Sequence, residues 1–133
     1  MRTQSLGIVL VAVIASAVCA GESATTGGFQ YELDRGQQLC MKLSEEVANK
    51  RVRESTPSQA CLHAQQALNN FASRLNSADE TAHALIPATK SEDRGVRSAA
   101  FRAMLQLSSQ LRSLREHTER EVNGYLHPPA ANP

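Results

Sequence analysis

His63, His83, His117 and His127, with the carboxylates near them, are the side chains best suited to metal or acid–base chemistry in this chain. Asp79 and His83 stand four residues apart, as do His117 and Glu121, and that spacing puts each pair on one helical face. A pair offers two ligands, whereas a zinc site takes three or four from the protein. No spacing supplies the rest, so the pairs read as solvated side chains. There is no G-x-S-x-G elbow, H-E-x-x-H helix, glycine-rich phosphate loop or C-x-x-C-H haem site. A nucleophile at Cys61 needs a free thiolate, which the disulfide expected below removes. No catalytic residue, metal ligand or cofactor is expected, and the chain reads as a non-enzyme.

A second group of residues is suited to binding. Phe101 and Leu105 fall on the face of the final helix opposite the Ala100–Leu107–Leu114 stripe and share it with Arg94, Arg97, Arg102 and Arg112. Aromatic and aliphatic side chains beside arginine are the make-up of protein interfaces. The competing placement is core, with Phe101 and Leu105 packed on the segment around Leu85 and Ile86. Nucleic acid is not an expected partner. The formal net charge is only +1, and Glu116, Glu119 and Glu121 offset the arginines.

The elements that must hold these residues follow from helical periodicity. Phe29, Leu33, Gly36, Cys40, Leu43 and Val47 repeat at three and four, and predict a first helix buried as far as about Ala48. Thr56-Pro57-Ser58-Gln59 has the form of a capping box with proline at the first helical position. It opens a second helix whose stripe is Cys61, Ala64, Leu68, Phe71 and Leu75. Ser77–Glu80 repeats the capping pattern and predicts a short segment closed by Pro87, either separate or a kinked continuation. Thr89 or Ser91 would then cap a long last helix. Its stripe runs through Val96, Ala100, Ala103, Leu107, Leu111, Leu114, Thr118 and Val122 to a stop at Gly124.

The start of the chain reads as a targeting segment. Arg2 precedes a thirteen-residue run, Leu6–Val18, that is almost wholly apolar, and Val18-Cys19-Ala20 suits cleavage before Gly21. That run is shorter than the roughly 20 residues a membrane span needs. A lipoprotein anchored through Cys19 is the alternative, though Val18 stands where that signal has a small residue. Cleavage after Ala20 removes Cys19 and Arg2. A neutral chain remains, with two cysteines, Cys40 and Cys61. Two cysteines in an exported protein predict a disulfide, here joining the first two helices, and two buried stripes would carry it.

The fold expected is therefore all-α: a small bundle of three long helices plus one short, with one disulfide between the first two. The organisation is a signal peptide at 1–20, a flexible leader at 21–28, the bundle at 29–125 and an extended tail at 126–133. Apolar residues make up 41% of the 133 and aromatics 4%, so leucine, alanine and valine must fill the core. These motifs bring no known family to mind. The function expected is a secreted or periplasmic protein that binds another protein through a helix face, in an inhibitory, neutralising or escort role, without stable membrane insertion after cleavage. A carrier of a small molecule or metal in the bundle interior is the alternative.

Overall fold

The computed structural model describes residues 20–129, with side chains from Gly27 onward. The apolar run at 6–18 and the end of the tail lie outside them. Three long helices form one bundle: α1 (Ala20–Arg51), α2 (Gln59–Leu85) and α3 (Arg94–Leu126), with a 3-10 turn at Pro87–Lys90 between the last two. The backbone of 21–28, expected as a leader, belongs to α1. Among the described residues no helix is long and apolar enough to cross a membrane.

Two expectations about the elements are corrected. The short fourth helix does not exist as a separate element, because its residues prolong α2 to Leu85. The capping pattern at Ser77 is overridden by burial: Ala78 and Ala82 continue the stripe of Leu68, Phe71 and Leu75 without a break in phase. Gly124 does not end α3 either. None of the described glycines has a positive φ, and α3 continues through Tyr125 to Leu126. The ammonium of Lys50, in the last turn of α1, donates to the Tyr125 carbonyl. It thereby satisfies a C-terminal acceptor that a glycine cap would otherwise serve.

The helix starts also move. Ser58, not Thr56, caps α2, its hydroxyl accepting from Cys61 N at 3.0 Å. Asp93 caps α3, accepting from Val96 N at 3.1 Å, while Ser91 Oγ accepts from Asp93 N at 3.0 Å. In each case a good capping residue lies closer to the buried stripe than the one expected, so the side-chain cap forms there.

Helix register is visible in a few contacts. A methyl group placed on the buried Gly36 of α1 would lie 2.7 Å from Leu75 Cδ2 and 3.2 Å from Phe71 Cζ. The absence of a side chain at 36 therefore lets α1 and α2 approach closely. With Val47 and Cys61 sharing the opposite end of the bundle, α1 and α2 are antiparallel. Glu32 meets Arg112 and Arg115, and Lys50 meets Tyr125, so α1 and α3 run parallel. The core divides into two clusters. One holds Phe29, Leu33, Phe71, Leu75 and Met104 near the start of α1; the other holds Leu43, Val47, Cys61, Leu68, Val122 and Tyr125 near its end.

That register removes the expected disulfide. Cys40 and Cys61 are both free thiols, and their sulfurs are not near each other. Moving four residues from Gly36 brings Cys40 level with the residues around Leu68, about two turns and ~10 Å along α2 from Cys61. A disulfide needs Cα atoms within about 7 Å. The approach of α1 and α2 at Gly36 sets this offset, and α1 runs on to Arg51 rather than stopping near Ala48, although Val47 is its last buried residue. Burial also pushes the Cys40 thiol up, against the opposing hydrogen bond with Ser44. Reductant should therefore leave the melting temperature unchanged, and alkylation of the unfolded, unreduced protein should label both Cys40 and Cys61. A melting temperature that falls on reduction, with neither residue labelled, would restore the disulfide.

Candidate functional site

The binding face expected on α3 is distributed unevenly by the structure. Leu105 is 56% exposed. Phe101 is half-buried, yet it belongs to neither core cluster, whereas Leu85, Leu107 and Leu114 pack against the first of them. The α3 residues turned to the core are Ala100, Met104, Ser108, Leu111, Thr118, Val122 and Tyr125. This stripe is rotated from the expected one: Val96 is 45% exposed, and Met104, Ser108 and Tyr125 take the centre. Ser108 is accommodated because its hydroxyl donates to the Met104 carbonyl at 3.1 Å.

The arginines of that face have different surroundings. Arg94 and Arg102 are exposed. Arg97 is half-buried and donates from Nη1 to the Ser91 carbonyl at 2.7 Å, tying the first turn of α3 to the segment before it. Arg112 Nε lies 3.1 Å from Glu32 Oε2. Arg115 donates from Nη1 to Glu32 Oε1. Glu32 itself is 4% exposed, a carboxylate held between two guanidinium groups at the α1–α3 seam. Arg112 is thus a seam residue on one edge, with its side chain 55% exposed on the other.

Glu32 does not stand out in sequence. It adjoins Leu33 on the flank of the first stripe and has the look of a surface glutamate. The available signal was on the partner helix, where five arginines between Arg94 and Arg115 have no Asp or Glu among them. Such a run needs counter-charge from elsewhere if any of it is buried.

A second polar group gathers where α1 and α3 end. The Tyr125 hydroxyl donates to Glu54 Oε2 at 2.9 Å, and Lys50 Nζ sits 4.3 Å from the centre of the Tyr125 ring. Glu54 Oε1 also accepts from Ser58 N at 3.3 Å. Burial, with the Cys61 thiol and the Glu54 carboxylate alongside, pushes the Tyr125 phenol well above its usual range. These contacts pin the α1–α2 connection to the end of α3.

The histidine pairs are local. His83 Nδ1 is 3.5 Å from Asp79 Oδ1 and 3.1 Å from the Asp79 carbonyl, and His117 Nε2 is 3.8 Å from Glu121 Oε2. Burial raises the Asp79 carboxyl, with His83 pulling it back. Among the described residues no third histidine, cysteine or carboxylate joins either pair.

Two concavities lie outside the core. The larger, about 780 Å³, opens between the end of α1 and the start of α2, where Val47 and Leu68 meet Ser44, Glu54, Gln65 and Asn69. The smaller, about 430 Å³, lies between α2 and α3 beside Arg74, His117 and Glu121. Both are surface grooves with mixed polar and apolar walls; Val47 and Leu68 of the second core cluster border the larger, and Phe71 of the first borders the smaller.

No protein-family model, curated protein or solved structure matches the chain.

Proposed function

We propose that this chain is an exported, non-catalytic helical module that docks another protein through the N-terminal half of α3, with Phe101 and Leu105 as its apolar contacts and Arg94, Arg97, Arg102 and Arg112 around them. The observation that carries this reading is the exclusion of Phe101 and Leu105 from both core clusters. Aromatic residues and arginine are enriched in protein interfaces, and the exposed Leu105 one turn from Phe101 extends the apolar patch. The export element of the proposal rests on the N-terminal segment alone, since the cysteine pairing that would have supported an oxidising compartment is absent.

Changing Phe101 and Leu105 together to Ser should leave folding almost intact, with a melting shift below ~4 °C, while removing partner capture. Thermal melts followed by circular dichroism, beside pull-downs from the native envelope or culture fluid, check both parts. A loss of several kcal/mol, as for buried Leu or Phe, would make these residues core and end the docking reading.

A further inference from the structure

We infer that the partner presents an acidic amphipathic helix to this face, an inference that rests on the docking reading and adds the chemistry of what docks. From Arg94 to Arg115 the chain carries five arginines and no carboxylate. The nearest buried acid, Glu32, is already occupied by Arg112 and Arg115. Asp93 Oδ1 is turned to the Val96 amide, and the other acids at this end are Glu92, before the helix begins, and Asp79 and Glu80 on α2, beside Ala78 of the shared core cluster. Among the described residues neither Arg94 nor Arg102 has a carboxylate within salt-bridge reach. Arg94 and Arg97 also stand in the first turn of α3, where the helix dipole is itself positive. Cations there oppose the dipole, and carboxylates from outside would relieve both.

The residue types narrow the partner further. The cations are arginines, whose planar forks take carboxylates two hydrogen bonds at a time. Phe101 and Leu105 are one turn apart, so they suit apolar side chains repeating at three and four on a facing helix. From Arg94 to Arg112 the face is about 27 Å long at the helical rise, the length of a partner helix of about 18 residues. A lipid surface fits less well, because two apolar side chains provide little area to bury in a bilayer. A nucleic acid would set its phosphates against Phe101 and Leu105 and desolvate them without a matching apolar surface.

The test uses the full chain, purified as its host processes it, to select from a displayed library of random peptides about 20 residues long. The expected outcome is enrichment of peptides rich in Asp and Glu with Leu or Phe at helical spacing. Their binding should weaken as salt rises and fall by ~10-fold or more in both the Arg94→Glu/Arg102→Glu variant and the Phe101→Ser/Leu105→Ser variant. Enrichment of apolar peptides without acidic bias, lost only in the Phe101→Ser/Leu105→Ser variant, would overturn the acidic partner while leaving the docking face standing. Selection of peptides that neither variant affects would overturn both. Vesicles containing roughly a third phosphatidylglycerol and a duplex DNA are run alongside. Binding to either, lost in the arginine variant and with no peptide enriched, would replace the protein partner with an anionic surface or polymer.

Discussion

Phe71→Ala should cost about 3–5 kcal/mol, the largest loss expected from any single truncation in this chain. Phe71 is fully buried, sits in the cluster with Phe29, Leu33 and Leu75, and lies against the backbone of Gly36 across the α1–α2 seam. Removing its ring opens a cavity that the neighbours cannot close. Gly36 has no side chain to move into it, and Leu75 is already packed against Gly36. Phe29 is the other ring of this cluster, in an interior built largely of alanine and leucine. Urea or thermal unfolding beside the parent measures the loss. A change below ~1 kcal/mol would show that α1 and α2 do not meet at Gly36 as described.

Glu32→Ala should destabilise by about 3 kcal/mol, or a melting temperature lower by ~10 °C or more. The reason is the charge left behind. Arg115 has a side chain only 14% exposed and would lose its carboxylate without gaining water. Arg112 is 55% exposed and can turn outward, which limits the cost to one stranded cation. A double change, Glu32→Met with Arg115→Met, should recover most of the loss, because a well-packed apolar pair replaces a desolvated ionic one at little net expense. If the double variant is as unstable as Glu32→Ala, the lost energy belongs to packing rather than to the ion pair. If Glu32→Ala is neutral, the carboxylate does not hold the α1–α3 seam.

These two variants probe different seams, and together they bear on the docking face. Arg112 links the Glu32 pair to the exposed end of the α3 surface, so Glu32→Ala frees one more arginine there while loosening the helix that carries it. The Phe101 and Leu105 variant is expected to leave both seams intact, since neither residue joins a core cluster. Comparing the three melts separates the scaffold from the surface it displays.

Helix class and most of two buried stripes were determined by the sequence itself, whereas the helix ends were not: 21–28 joins α1 and the segment from Ser77 joins α2. Phe29–Leu33–Leu43–Val47 and Cys61–Ala64–Leu68–Phe71–Leu75 were readable because a three-and-four repeat is a property of neighbouring residues on one helix. Only the tertiary structure decided the rest. The rotation of α3, which brings Met104, Ser108 and Tyr125 to the centre, depends on where α1 and α2 leave room. The distance between Cys40 and Cys61 depends on an axial offset set by Gly36 against Phe71 and Leu75, not on the buried phase the two cysteines share. The meeting of Glu32 with Arg112 and Arg115, and of Glu54 and Lys50 with Tyr125, joins residues more than seventy positions apart. Local spacing encodes which face of a helix is apolar. It does not encode how far one helix slides along another, and that slide decides which charges become partners and which thiols stay apart.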